Sequence, residues 1–155
     1  MLLVGAGGAG VAIATALADA GVAMLSLYDA APARSAEVAA CLARLYPVEI
    51  SVPPVADPAG HDLVVNCTPL GLQEGDPLPF ETHRLDRDAL VVDILMKDQP
   101  TPLLRACAQR GIAAEPGFEM LVQQVPAYLD FFGLHGIADA VRDDLSEVRA
   151  LLQPQ

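Results

Sequence analysis

A glycine-rich segment near the start of the chain has the residue types and spacing of a diphosphate-binding turn. Gly5, Gly7 and Gly10 fit the pattern G-x-G-x-x-G, directly after an apolar run and directly before an alanine-rich helical pattern. In such a turn the first glycine permits the tight bend, the second lets backbone amides approach a pyrophosphate, and the third lets the helix pack closely on the strand. The helix N-terminus adds unpaired N–H groups and a partial positive charge. We therefore predict dinucleotide contacts from the whole turn, namely Gly5, Ala6, Gly7, Gly8, Ala9 and Gly10.

An acidic residue lies at the position from which a dinucleotide-binding turn of this type contacts the adenosine ribose. Asp29 closes the next predicted strand, 19 positions after Gly10. A carboxylate there can hydrogen-bond the adenosine ribose hydroxyls and would repel a 2′-phosphate, which favours NAD over NADP. Arg34 can instead stack on an adenine or reach a phosphate, so NADP stays open as the less favoured cofactor. A purely structural alternative also stays open, in which the glycines only form a turn and Asp29 only caps the next helix.

The elements that must position these residues alternate between strand and helix. Apolar runs predict strands at 1–4, 23–28, 48–52, 62–66, 89–93 and 112–114. Helical patterns cover 11–20, 32–45, 102–110, 118–132 (kinked at Pro126) and 137–152. The irregular segment 68–88, rich in proline and glycine, predicts a functional loop. The fold class that follows is α/β: a three-layer Rossmann-type parallel sheet with helices on both faces, plus C-terminal helices, in a single domain over 1–155.

Composition and charge exclude several other classes of protein. With 53% hydrophobic and 19% charged residues, the chain is globular rather than disordered. Nine basic residues against 20 acidic ones leave no basic patch for nucleic acid. Cys41, Cys67 and Cys107 show no C-x-x-C pairing and the histidines share no ligand spacing, so we expect reduced thiols, a cytoplasmic location and no metal. No segment is long and apolar enough to span a bilayer, so we expect no membrane partner.

The rest of the chain carries short motifs in a fixed order. They occupy 5–10, 66–71, 76–79, 92–93, 101–104 and 117–124, with the sequences GAGGAG, NCTPLG, DPLP, VD, TPLL and GFEMLVQQ. In this order they resemble the C-terminal, nucleotide-binding half of shikimate dehydrogenases and their quinate/shikimate relatives. The resemblance covers nearly the whole chain, from Val4 to about Gly133. It implies an NAD(P)-dependent oxidoreductase that exchanges a hydride with a hydroxy or keto cyclohexene carboxylate, such as shikimate, 3-dehydroshikimate or a quinate-like compound.

The resemblance also implies roles for residues beyond the glycine turn. Those that border the cofactor near its ribose and nicotinamide are Asn66, Thr68, Pro69, Leu70, Ile94, Leu95, Gly117 and Met120. Gln124 matches the glutamine that reaches the substrate hydroxyls. Met96 stands where the family usually has a tyrosine near the substrate carboxylate, which leaves the substrate open. Lys97, the only lysine of the chain, offers a positive contact to a carboxylate, although a lone lysine on a loop is more often solvated.

One part of the resembling enzymes has no counterpart here. Their N-terminal domain supplies a catalytic Lys/Asp pair, and no segment of this chain matches it, so we assign no catalytic residue. We expect a fragment of a longer enzyme that binds the dinucleotide without turnover. Its last predicted helix, 137–152, would pack toward the missing half, and the exposed apolar face would promote homodimers. An alternative from a different class is a stand-alone dinucleotide-binding or sensing module without catalysis.

Overall fold

A computed structural model describes residues 1–73, 75–96 and 99–152, in a first unit that ends at Pro116 and a second that begins at Gly117. The strands of the first unit are β1 (Leu2–Val4), β2 (Met24–Tyr28), β3 (Glu49–Ser51), β4 (Leu63–Asn66), β5 (Leu90–Asp93) and β6 (Ala113–Pro116). Its helices are α1 (Gly8–Asp19), α2 (Pro32–Leu45) and α3 (Pro102–Gln109), with a short 3-10 helix at Thr82–Arg84.

The six strands form one parallel sheet in the order β3-β2-β1-β4-β5-β6. From β1 the chain moves outward to β3 and then returns to add β4 on the other side of β1. This reversal is the switch point at which doubly wound sheets leave a crevice beyond the carboxyl ends of their strands. Val4 and Asn66 are paired there, each as the last residue of its strand. The predicted Rossmann-type α/β fold is confirmed.

Apolar side chains cover both faces of the sheet. On one face, Ala14 of α1 and Leu42 of α2 belong to a buried cluster with side chains of the central strands. On the other face, Leu103 and Cys107 of α3 pack in a cluster with Phe80 from the loop after β4. Full burial of one such large apolar side chain stabilises a fold by about 1.5–3 kcal/mol. The two clusters hold the strand ends at the switch point in a fixed arrangement.

Helix α1 begins earlier than the sequence predicts. The helical pattern starts at Val11, whereas the observed helix starts at Gly8. The reason lies in the backbone: Gly7 is the N-cap, and its carbonyl oxygen accepts a 2.8 Å hydrogen bond from the Val11 amide. The last glycines of the turn are therefore also the first turn of the helix.

The second unit is helical. It contains α4 (Phe118–Phe131), α5 (His135–Arg142) and α6 (Ser146–Leu152), and α4 continues through Pro126. The predicted single helix over 137–152 is wrong, because the chain breaks between α5 and α6. Asp144 Oδ1 accepts a 2.9 Å hydrogen bond from the Ser146 amide, a local side-chain turn directly ahead of α6. Among the described ranges, no helix combines the length and apolar character needed to cross a membrane.

Candidate functional site

The glycine turn lies at the switch point, where β1 ends beside β4. Gly5 has φ +105°, and a Cβ there would lie 2.9 Å from the Cys67 carbonyl group, so only glycine fits. A Cβ at Gly10 would lie 2.0 Å from the Gly5 carbonyl oxygen. At Gly7, in contrast, no atom lies within 4 Å of the place that a Cβ would take. Two of the glycines are therefore required by the backbone itself, and the third leaves open space above the turn.

The first turn of α1 supplies main-chain donors beside that open space. The amides of Gly8, Ala9 and Gly10 precede the first intrahelical hydrogen bond, so they have no acceptor within the helix. Gly8 and Ala9 are exposed, and the N-cap Gly7 has no side chain to cap them. Together with the positive end of the helix dipole, these amides can hold an anion without a basic side chain.

Asp29 follows β2 and closes one side of the turn. Its Oδ2 accepts a 2.8 Å hydrogen bond from the Ala6 amide, and its Oδ1 accepts one of the same length from the Ala31 amide. The guanidinium of Arg34 lies 3.5 Å away, and the Asp29 side chain is only 9% exposed. Burial alone would raise the pKa of Asp29, but the two amide hydrogen bonds and Arg34 together lower it below its ordinary value. Asp29 is therefore ionised at neutral pH and held in one orientation.

A crevice of about 400 Å³ joins these residues, a volume typical of small-molecule sites. Its lining is Val4, Gly5, Gly7, Tyr28, Asp29, Ala30, Arg34, Cys67, Thr68, Pro69, Leu70 and Pro79. It brings together predicted residues from the glycine turn, the end of β2 and the loop after β4. The lining residues that the sequence analysis did not assign to the site are Val4, Tyr28, Ala30, Cys67 and Pro79. Four of them are direct neighbours of predicted residues, and Pro79 ends the DPLP motif at 76–79, to which no contact was assigned.

The loop after β4 forms one wall of this crevice and is held by side chains. Asn66 is fully buried, and its Oδ1 accepts hydrogen bonds from the amide and the hydroxyl of Thr68, at 3.0 and 2.7 Å. Thr68 Oγ1 in turn accepts a 3.2 Å hydrogen bond from the Leu70 amide. The backbone from Thr68 to Leu70 is therefore fixed by polar contacts and presents a defined surface.

Comparisons with known proteins show which sequences and which folds this chain resembles. No protein-family model matches the chain. A curated shikimate dehydrogenase (NADP(+)) from Acidiphilium cryptum is 39% identical over 140 residues, which cover 89% of this chain and 49% of that protein. The chain is homologous to the shikimate dehydrogenases. It spans about half the length of the curated relatives that it matches.

Solved structures agree with this relationship to the shikimate dehydrogenases. Quinate dehydrogenase from Corynebacterium glutamicum in complex with NAD matches with a TM-score of 0.75 and 29% identity, over 92% of this chain and 52% of that one. A ligand-free 5-ketofructose reductase of Gluconobacter sp. strain CHM43 matches with a TM-score of 0.76 and 25% identity, over 84% of this chain and 49% of that one. The predicted resemblance is confirmed, and the same fold occurs in proteins named for different substrates.

The loop after β5 carries the main departure from the shikimate dehydrogenase pattern. Leu95 is buried, Ile94 is half-buried against the α1/α2 side of the sheet, and Met96 is exposed. A Cβ at Gly71 would lie 3.3 Å from a methyl carbon of Leu95, so the loops after β4 and β5 are in contact. The predicted cofactor contacts of Ile94 and Leu95, and the substrate contact of Met96, stay predictions. Lys97 lies outside the described residues.

The remaining predicted residues of the shikimate dehydrogenase pattern belong to the second unit. Gly117 is the N-cap of α4, and Met120 and Gln124 lie in its first and second turns. Gln124 Oε1 accepts a hydrogen bond from the Tyr128 hydroxyl. Their assignments to nicotinamide and substrate stay predictions.

Cys67 lines the crevice but does not have the properties of a nucleophile. Burial and, second, the nearby Asp93 carboxylate raise the pKa of the Cys67 thiol to about 12. At neutral pH it is a thiol rather than the reactive thiolate. Across the parts of the chain that the structure describes, no three His, Cys, Asp or Glu side chains are grouped as metal ligands.

Proposed function

We propose that this chain is the nicotinamide-dinucleotide-binding part of a shikimate dehydrogenase-like oxidoreductase. The observation that carries the proposal is the open space above Gly7, which lies between first-turn amides without helical acceptors and a fixed, ionised carboxylate. A diphosphate and a ribose require these groups side by side. The homology to shikimate dehydrogenases supports the same assignment.

Each part of the crevice has a task in this proposal. The amides of Gly8, Ala9 and Gly10 hold the diphosphate, and Asp29 accepts hydrogen bonds from the ribose hydroxyls. The wall from Thr68 to Leu70 orients the part of the cofactor that leads to the nicotinamide. A dinucleotide held by these residues would supply hydride transfer to or from the substrate. Such positioning can lower a reaction barrier by roughly 7–11 kcal/mol when the reactants are held in near-attack geometry.

Asp29 makes NAD the favoured cofactor of this proposal. Its negative charge beside the ribose repels a 2′-phosphate, and its three contacts to Ala6, Ala31 and Arg34 oppose a rotation away from it. The names of the curated relatives specify NADP(+), which supports the opposite preference, whereas the quinate dehydrogenase was solved with NAD. The exposed Arg34 is the group that would receive the 2′-phosphate of NADP.

The substrate that we propose is a small hydroxy or keto compound of the cyclohexene carboxylate class, shikimate-like or quinate-like. Met96 departs from the tyrosine of the family pattern, and a thioether cannot donate the hydrogen bond of a phenol. An altered specificity is therefore part of the proposal, and the fold match to a 5-ketofructose reductase supports it. We expect the 155-residue chain to bind the dinucleotide and to turn over shikimate negligibly, since the resemblance implies a Lys/Asp pair outside this half.

Isothermal titration calorimetry of the chain with NAD and with NADP tests the proposal. Gly7→Ala places a methyl group in the open space without meeting another protein atom, so we expect a folded protein whose affinity falls by about tenfold or more. Gly136→Ala, also without atoms within 4 Å but in α5, is the matched control and should bind like the unaltered chain. The proposal is contradicted if neither NAD nor NADP gives a heat of binding. It is also contradicted if Gly7→Ala binds as tightly as the unaltered chain.

A further inference from the structure

A fully buried acidic side chain at the end of β5 takes no part in the site described above. Asp93 has no exposed surface and does not line the crevice. A buried carboxylate is costly unless hydrogen-bond donors compensate for the water that it loses. The donors that surround Asp93 therefore indicate what it stabilises.

Three donors converge on Asp93 from three different segments. Asn66 Nδ2 at the end of β4 donates to Oδ1 at 2.9 Å, and the Leu95 amide donates to the same oxygen at 3.3 Å. The Thr101 hydroxyl donates to Oδ2 at 2.6 Å. Thr101 is the N-cap of α3, and its Oγ1 accepts a 3.2 Å hydrogen bond from the Leu104 amide. Asp93 thus has one contact toward the crevice side, through Asn66, and another toward α3, through Thr101.

The contact to Asn66 determines which way that amide faces. Because Asn66 Nδ2 donates to Asp93, its Oδ1 is the atom presented to the amide and hydroxyl of Thr68. A reversed Asn66 would set an NH₂ group against the Thr68 N–H and a carbonyl oxygen against Asp93, so that like groups would meet on both sides. The hydrogen bond from Leu70 to Thr68 depends on the same arrangement.

We propose that Asp93 is a positioning residue for dinucleotide binding: through Asn66 it holds the Thr68–Leu70 wall of the crevice in the binding conformation. The inference rests on the proposed function for the identity of the ligand, but the conformational order of the Thr68–Leu70 wall can be measured without a ligand. Thr101 provides the comparison, because it shares the Asp93 carboxylate and its hydroxyl is hydrogen-bonded to Asp93 and to the Leu104 amide of α3 rather than to the wall.

The first test is hydrogen exchange of the Thr68 and Leu70 amides, measured by NMR in the unliganded chain. Asp93→Leu removes both acceptor oxygens at similar volume, so neither Asn66 nor Thr101 keeps its acceptor. We expect exchange at these two amides to accelerate by about tenfold or more in Asp93→Leu and to change little in Thr101→Val. Equal acceleration in both variants, or none in Asp93→Leu, overturns the proposal.

The second test is dinucleotide affinity in the same two variants, with thermal unfolding recorded for each. Asp93→Leu should weaken binding by about tenfold, whereas Thr101→Val should bind within about threefold of the unaltered chain even at a similar loss of thermal stability. If Asp93 only stabilised the fold, binding would weaken equally in the two variants, and that result also overturns the proposal. If the unaltered chain binds neither NAD nor NADP, the proposed function fails, while the exchange measurement still tests the positioning role.

Thr68 keeps the proposal testable if Asp93→Leu does not fold. Thr68→Ser retains the hydroxyl that donates to Asn66 and accepts from Leu70, and Thr68→Val removes it at nearly the same volume. We expect Thr68→Ser to retain the protection of the Leu70 amide and Thr68→Val to lose it. Unchanged protection in Thr68→Val would show that the polar contacts do not hold the wall.

Discussion

Asp29 Oδ2 lies 2.8 Å from the backbone nitrogen of Ala6, so the carboxylate that follows the second strand is hydrogen-bonded to the glycine turn itself. The two features that the sequence separates by 23 residues are one structural unit. A ligand that enters the crevice meets the open space above Gly7 and the fixed carboxylate together.

Removal of the Asp29 carboxylate should change the choice of dinucleotide. Asp29→Ala removes the ribose acceptor and the charge that repels a 2′-phosphate, so the ratio of NAD to NADP affinity should fall by about tenfold, with Arg34 free to contact the phosphate. Calorimetric titration of both dinucleotides measures the ratio. Asp19→Ala, which removes an exposed carboxylate from the far end of α1, is the control for net charge. An unchanged ratio in Asp29→Ala would remove Asp29 from the ribose site.

Substitution by alanine should lower the free energy of unfolding at Gly10 but not at Gly8. In Gly10→Ala the new Cβ would lie 2.0 Å from the Gly5 carbonyl oxygen, and this backbone cannot yield cheaply. We expect a loss of about 1–3 kcal/mol or more in the free energy of unfolding, measured by urea denaturation. Gly8→Ala meets no atom within 4 Å and lies in the same helical turn, so its stability should be unchanged or slightly higher. Comparable stability of the two variants would contradict the close approach of α1 to the turn.

The stability of the chain should fall at alkaline pH through Cys67. Burial raises the pKa of Cys67 from 9.0 to about 12, so between these values the unfolded chain loses the thiol proton and the folded chain retains it. The unfolded state then binds fewer protons, and the free energy of unfolding falls as pH rises from about 9. Cys107, with a pKa raised by burial to about 11, adds to the fall.

Urea unfolding at pH 7, 9 and 10 measures this dependence. Cys67→Ala should reduce the alkaline slope, and Cys41→Ala, which alters an exposed cysteine, is the control. A slope that is identical in Cys67→Ala and the unaltered chain would show that Cys67 titrates alike in the folded and unfolded states.

The second unit carries an exposed aromatic pair that should promote self-association. Phe131 and Phe132 are 83% and 73% exposed, and their rings form an edge-to-face pair with centroids 5.3 Å apart. Contiguous exposed apolar surface of this kind favours association with a second copy. Sedimentation velocity should show a concentration-dependent oligomer, which the double variant Phe131→Ser, Phe132→Ser reduces. Leu45→Ser, at an exposed leucine of α2, is the control, and an oligomer that persists in the double variant would exclude the pair as the contact.

The fold and much of the crevice were predictable because their signals are local. Gly5 and Gly10 have conformational and steric requirements that only glycine meets, and Asp29 follows its strand directly. The start of α1 was predicted too late, because glycine lowers helix propensity and the N-cap contact that offsets it is not visible in the pattern. The break between α5 and α6 was missed because the helical pattern is continuous there, and the contact of the Asp144 side chain with the Ser146 amide is not visible in it.

Other features depend on contacts between distant segments. Pro79 reaches the crevice from a loop without regular spacing. Asp93 meets Asn66 across 27 positions and Thr101 across eight, so each residue alone looks like an ordinary strand end or helix cap. Only the sheet order, which sets the ends of β4 and β5 side by side, shows that these three side chains form one network.

In the proposed binding mode, main-chain amides at the start of α1 hold the diphosphate of a nicotinamide dinucleotide. ¹⁵N-resolved NMR of the chain during titration with NAD observes these amides one by one. We predict that the amide signals of Gly8, Ala9 and Gly10 shift most, and that saturation follows the affinity measured by calorimetry. Binding with shifts confined to another surface, or no shifts at these three amides at saturating NAD, would contradict this binding mode.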